Sequence, residues 1–430
     1  MGYTRLTSQK DSAGGAKIFR VDLAQADTRR QLSQKTYPWA VIHACELARD
    51  VLPILEGQLA AGMRPSLLTP NIAEQSPLLK PGKREEARAL SLLEAWNRVR
   101  EWRNLMHESG ADRSAELLHA HSFSAGMAAV RASSGVVYQL KRPIEKLASA
   151  AGNCDENSWL ARSFRVAEQF VLTRAAAVVV NGHSQRLACL ERGVNAANIF
   201  LIPEPIEHSL LESVPERNWL IELTGAEPET VFLLVPVISG SESENRAAFL
   251  RCLRVLCNVR RGHSDVRLIL LGEENAKHAI FEIASACNLM PWICVLPPSM
   301  QDRALATSDI VICDREHAQN GVAAEVLARG RALLACDVEQ HRDITPDGRG
   351  CLWFRACEVD DIAKRASFLA GNPQFRRALA SAGREHCRTT RCAEAVGAQY
   401  DAVYRSAFSK RKGRDANTPK PQFIPLHVGS

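Results

Sequence analysis

The chain has 430 residues, 46% of them apolar and 24% charged, a balance that suits a globular protein of two or three domains. It excludes a wholly disordered chain, a collagen, a coiled coil and a small disulfide scaffold. The formal net charge is +6, but residues 1–36 hold seven Lys/Arg against three Asp/Glu and residues 409–430 hold five against Asp415, which leaves 37–408 at −2; the basic excess that would attract nucleic acid sits at the two ends and not on the body.

Residues 1–36 are polar and unpatterned and read as a flexible N-terminal extension. From Trp39 short apolar runs alternate with helical spacing. Trp39–Ile42 and Ser66–Leu68 read as strands, with Leu47, Val51, Ile54, Leu55 and Leu59 between them on one face of a helix. Pro70, Pro77 and Pro81 mark a loop, and a helix follows with Leu92, Trp96, Val99, Trp102 and Met106 on one side, its two tryptophans read as core anchors. Then come a strand at Leu117–His119, a small-residue helix over 125–132, a strand at Gly135–Tyr138 and a long helix over 156–174. A strand at Ala177–Val180, a helix over 184–192 and a strand at Ile199–Ile202 complete the first half.

Pro203, Pro205, Pro215 and Pro228 punctuate an unpatterned stretch, which predicts a linker over 206–230. The second half repeats the alternation. Strands are predicted at 231–237, 266–271, 292–296, 310–313, 332–336 and 351–354, with helices over 244–259, 276–287 and 323–328 and two or three more to close the chain by about 406. Near-continuous apolar strands alternating with helices specify parallel sheets covered on both faces. The expected fold class is therefore α/β: two Rossmann-like domains, 37–205 and 231–390, with parallel sheets facing across a cleft. A closing helix over 391–408 and a basic tail over 409–430 follow. Ligands are expected at the carboxyl ends of the strands.

No apolar run reaches the roughly 18 residues of a membrane span, and the polar start lacks the apolar core of a secretory signal. The thirteen cysteines are scattered without a CxxC, which reads as reduced, buried thiols in a cytoplasmic protein. HExxH, Walker A and GxGxxG are all absent.

Two constellations carry chemistry. His119-Ala120-His121 ends a strand and offers ligand hydrogen bonding or acid–base work. Metal ligation there lacks a third ligand in the neighbouring sequence. The stretch from Cys313 to Asp337 reads as strand, polar loop, a helix that starts near Gly321 and stops at Gly330, then strand. The helix start suits phosphate or hydroxyl-rich ligands, and Glu325 one turn inside can accept from ribose hydroxyls.

These stretches together resemble the retaining GT-B glycosyltransferases of family four. His119-Ala120-His121 is similar to that family's HxH element, and Glu325-Val326-Leu327-Ala328-Arg329-Gly330-Arg331-Ala332-Leu333-Leu334-Ala335 to its "Glu…AMAxGxPVVA" segment. Ala175–Ser184 with Arg192-Gly193-Val194 and Ile199–Glu207 match two further segments. The resemblance spans roughly 40–405 and implies a transferase that moves a sugar from a nucleotide-sugar donor, as substrate and not cofactor, with retention and without a metal. It implies that Glu325 binds the donor's ribose, that Glu316 or His317 holds the sugar, that Arg246 replaces a diphosphate cation, that Gly321 opens the donor helix, and that His121, with His119 beside it, acts at the reacting centre.

Four departures stand out. His317 occupies the position of the family's first Glu, with Glu316 adjacent. Pro236-Val237 replaces the Gly-Arg after the second domain's first strand. His43-Ala44-Cys45-Glu46 replaces a glycine-rich loop, and Pro203-Glu204-Pro205 replaces Pro-Asn-Gly. They give the alternative expectation of a GT-B protein that binds a sugar nucleotide or a partner without turnover; a sugar-nucleotide epimerase is a third reading with no motif of its own. The acceptor is unidentified, lipid-linked or polysaccharide. Nucleic acid is not an expected partner. The tail Lys410-Arg411-Lys412-Gly413-Arg414 offers a weak peripheral contact with the inner face of an anionic membrane.

Overall fold

The computed structural model describes residues 4–8, 18–23, 41–45, 51–61, 63, 65–68, 92–111, 117–133, 135–150, 154–155, 157–212, 217–236, 242–272, 274–314, 321–345, 347–356 and 358–417. The chain divides into two compact units. The first comprises Met1–Asn181, Gln185–Ile202 and Gly397–Ser430; the second comprises Gly182–Ser184 and Pro203–Val396.

The first unit is built on one sheet of strands β1 (Thr4–Ser8), β2 (Ile18–Leu23), β3 (Val41–Ala44), β4 (Pro65–Leu68), β5 (Leu117–Ala120), β6 (Val136–Leu140), β7 (Ala177–Val180) and β8 (Ile199–Leu201). Their order is β1-β2-β4-β3-β5-β6-β7-β8. The six strands from β4 to β8 are parallel, and β1 and β2 join antiparallel at the β4 edge. Alternation along the strands separates the two faces. Ile42, Ala44, Leu118, Ala120, Val136, Tyr138, Val178 and Val180 face a core covered by the helices Leu92–Glu108, Phe123–Ala132 and Trp159–Arg174. The small-residue helix Phe123–Ala132 can lie close on β6 because a Cβ at Gly126 would stand 2.7 Å from the Tyr138 ring. The Ser122 hydroxyl caps that helix by accepting from the Ala125 N–H at 3.2 Å.

The second unit carries β9 (Val231–Val235), β10 (Val266–Leu271), β11 (Ile293–Leu296), β12 (Ile310–Cys313), β13 (Ala332–Cys336) and β14 (Cys351–Phe354), all parallel in the order β11-β10-β9-β12-β13-β14. Leu233, Leu268, Leu270, Ile312 and Leu334 point to one core, and Phe232, Leu234, Ile269, Val311 and Leu333 to the other. Both faces are apolar because both are covered, which is why these strands read as near-continuous hydrophobic runs, broken in β10 by Arg267.

Four expectations need correction. Residues 1–36 are not merely an extension, since β1 and β2 lie within them. The alternation of Ile18-Phe19-Arg20-Val21-Asp22-Leu23 is a strand signal that the surrounding polar composition hid. The stretch 206–230 is not a bare linker. It forms the helices His208–Leu211 and Arg217–Thr224 and buries Ile206, Leu211 and Leu220 in the second unit's core. The last helix runs from Ala393 to Asn417, so Lys410 to Arg414 lie in it and not in a tail. Lys410 Nζ donates to the Ala176 carbonyl at 2.9 Å and to Asn198 Oδ1 at 2.5 Å, which ties that helix down. Of the two tryptophans read as core anchors, Trp102 is buried, whereas Trp96 is 44% exposed beneath the Arg131 guanidinium.

Candidate functional site

The site in the first unit follows from strand register. On β3 and β5 the even positions face the apolar core, so His43 and His119 face the other way. The parallel pairing sets His43 directly beside His119. His121, just past the end of β5, joins them, with ring centroids 4.1 Å from His119 and 5.2 Å from His43. All three are buried, His119 without any exposed surface. The C-terminal helix covers them with Tyr400 and Tyr404, both fully buried.

Hydrogen bonds connect the group into one chain. Gln58 Nε2 donates to Tyr404 Oη at 2.8 Å, so Gln58 Oε1 faces His43 Nε2 at 2.9 Å. A carbonyl oxygen only accepts, so His43 carries its proton on Nε2. Neutral His43 then has a lone pair on Nδ1, and His121 Nε2, 2.9 Å away, donates to it. Tyr404 Oη, already accepting from Gln58, gives its own proton to His119 Nδ1 at 2.9 Å. The remaining ring nitrogens, His119 Nε2 and His121 Nδ1, have no hydrogen-bond partner among the described residues. The bonding therefore leaves a donor on His119 and a lone pair on His121.

Neutrality is enforced by burial. Desolvation brings the His43 pKa down to about 4, against a smaller raising effect of the Gln58 bond. Desolvation also holds His119 well below the usual histidine range, helped by His43 and opposed by the Gln139 side chain. His121 is lowered in the same way, first by desolvation and then by His119, His43 and Lys141. Burial raises the Tyr404 phenol well above its ordinary value, so it stays protonated and able to donate. One nitrogen from each imidazole lies within 4.8 Å of the others, a spacing that can hold a transition metal.

The second unit places Glu325 on the helix Val322–Ala328, which follows β12 and begins beyond Gly321. Gly321 has φ +70°, a left-handed conformation suited to glycine, and a Cβ there would meet nothing within 4 Å. Glu325 is half-buried and near the end of β12, where it and Asp314 add to the burial that raises the Cys313 thiol. Gly330, with φ +64°, ends the helix. Arg251 lies 3.6 Å from Asp314 at the same end of the sheet.

The structure thus brings His119 and His121 together but encloses His119 beneath Tyr404, where the sequence suggested a pair pointing toward a crevice. Gly321 and Glu325 share one loop and helix of the second unit. Glu316 and His317 lie outside the described residues, as does the side chain of Arg246, whose backbone belongs to the helix Glu242–Arg260. Sequence reasoning missed His43, Gln58 and Tyr404 as members of the site. His43 carried a signal, as a histidine in a strand otherwise apolar. Tyr404 carried none, being 285 residues from its partner His119.

Residues 47–205 match the model of the glycosyl transferase 4-like domain. No curated protein matches the chain in sequence. Among solved structures, a glycosyltransferase from Rickettsia africae is 11% identical with a TM-score of 0.61, over 86% of this chain and 98% of that one. The sucrose-phosphate synthase of Thermosynechococcus elongatus is 14% identical with a TM-score of 0.61, over 86% and 99%. Anabaena HepE, solved with UDP and glucose, is 11% identical with a TM-score of 0.56, over 86% and 100%. The fold is that of the GT-B glycosyltransferases: two Rossmann-like α/β units, each on a sheet with six parallel strands.

Proposed function

We propose that this chain transfers a sugar from a nucleotide-sugar donor to a hydroxyl acceptor, with retention and without a catalytic metal on the diphosphate. The observation that carries the reading is the match of 47–205 to the glycosyl transferase 4-like domain, in a chain whose second unit sets Glu325 just beyond the carboxyl end of β12. Ligands of such sheets bind at that edge.

In this reading Glu325 accepts from the ribose hydroxyls, and the open backbone at Gly321 admits the donor. Arg246 supplies positive charge for the departing diphosphate, where fixed cations stabilise the charge that develops. Glu316 or His317 holds the sugar hydroxyls. His121 acts in the first unit at the reacting centre. His119 acts through its place in the buried cluster. The acceptor is polysaccharide or lipid-linked, and the chain works in the cytoplasm. No helix among the described residues is long and apolar enough to cross a membrane. With Lys410 held by Ala176 and Asn198, membrane contact falls to the residues after it.

UDP is the first nucleotide to try, because HepE holds it. UDP at 100 times its Kd should raise the unfolding free energy by about 2.7 kcal/mol, and Glu325→Gln should remove most of that gain. A chain whose melting is unmoved by UDP, GDP and ADP would end this reading. The second reading, a binder without turnover, is favoured by Pro236 at the end of β9, where the resembled family has its Gly-Arg pair. Nucleotide stabilisation without donor hydrolysis, followed by mass spectrometry, would select it.

A further inference from the structure

We infer that His43, Gln58 and Tyr404 are positioning residues that fix the tautomers of His119 and His121, and so decide which nitrogen of His121 keeps a lone pair. The assignment of His121 to the reaction rests on the function proposed above; the tautomer assignment does not.

The argument is one of proton counting. Each neutral imidazole has one N–H and one lone pair. Gln58 alone in the network has a fixed polarity, an amide oxygen that accepts and an NH2 that donates. Its oxygen, 2.9 Å from His43 Nε2, puts the His43 proton there. That choice passes through the ring: His43 Nδ1 must accept, so His121 Nε2 must donate, and His121 Nδ1 keeps a lone pair. The amide's other end donates to Tyr404 Oη, which turns the phenol proton toward His119 Nδ1 and leaves Nε2 of His119 as an N–H. A side chain in the helix Leu52–Ala60 therefore sets two histidines at the end of another strand. Reversing the amide would reverse both, making His121 Nδ1 a donor and His119 Nε2 an acceptor.

The test is long-range 1H–15N correlation on the full chain with 15N-labelled histidine, with the His121 signals assigned by their loss in His121→Gln. The expected spectrum shows His121 protonated on Nε2 and unprotonated on Nδ1, and His119 protonated on Nε2. In Gln58→Leu the polarity is lost, and the His121 signals should move toward values averaged between tautomers. In Tyr404→Phe, which removes one hydroxyl, His121 should keep its tautomer and His119 should lose its own. His121 protonated on Nδ1 in the parent chain, or signals of both histidines unmoved in both folded variants, would overturn the inference. Tyr404→Phe stands in if Gln58→Leu does not fold. Donor hydrolysis measured against pH in the same variants separates the two claims. Altered tautomers with no nucleotide binding in any form would leave the relay standing and remove the glycosyl-transfer reading.

Discussion

A buried histidine is an acid-sensitive element, and the second unit contains one apart from the cluster of three. His341 Nδ1 lies 2.9 Å from the Cys336 carbonyl and donates to it, while Nε2 has no partner among the described residues. Desolvation lowers its pKa, against the raising effects of the Cys336 carbonyl and Asp314. The folded chain thus keeps His341 neutral where an unfolded chain would bind a proton. Its contribution to stability is fully present above pH 6.5, the ordinary value, and is lost as pH falls below it. Urea midpoints between pH 7.5 and 5 should decline in the parent chain and decline less in His341→Gln, which cannot titrate. Equal slopes in the two would show that protonation of His341 does not contribute. At the same scale the limits of sequence reading are plain. His119 and His121 were visible as a spaced pair. Gln58 looked like one polar residue in a helix, because nothing in its neighbours records that it ends in a buried amide bonded to residue 404.

Elements were the most legible part of this chain. Strands 266–271, 310–313, 332–336 and 351–354 coincide with β10, β12, β13 and β14. Fully buried parallel strands must be apolar throughout, and turns must interrupt them. The errors fell where that rule does not apply. β2 lies between the edge strand β1 and β4, its alternating pattern diluted by polar flanks, and the last helix continued into an assumed basic tail. Close approach of elements is also hidden until side chains are seen in space. Gly57 and Gly397 touch in the first unit, and a Cβ at Gly397 would stand 2.2 Å from the Gly57 backbone carbon. Backbone cannot yield as a flexible side chain would. Gly397→Ala should therefore destabilise by about 2 kcal/mol or more, within the range for overpacking, read as a drop in Tm. An unchanged Tm would show that the two helices separate freely.

At the scale of the whole molecule, the chain returns at Gly397 to the unit it began. Tyr400, Val403, Tyr404 and Ala407 are then buried there, each at 1% exposure or less. Full burial of one large side chain is worth roughly 1.5–3 kcal/mol, so this segment is part of the first unit's core and not an accessory. A chain stopped after Val396, the last residue of the second unit, should lose the unfolding transition of the first unit, followed by near-UV circular dichroism, while the second unit keeps its own. Retention of both transitions would show that the helix is dispensable.

The sequence by itself determined the class of this protein. Local periodicity records which residues are covered, and the spacing of covered strands and helices is enough to specify two Rossmann-like units. It also placed Gly321 and Glu325 on one loop and helix, because those residues are neighbours along the chain. Only the tertiary structure decided the surroundings of the histidines. His43, Gln58, His119, His121 and Tyr404 come from two strands, the residue just past one of them and two helices far apart in the chain, and their meeting depends on sheet order and on where the last helix docks. Hydrophobic pattern fixes which face of an element is buried, but not which distant side chain it is buried against.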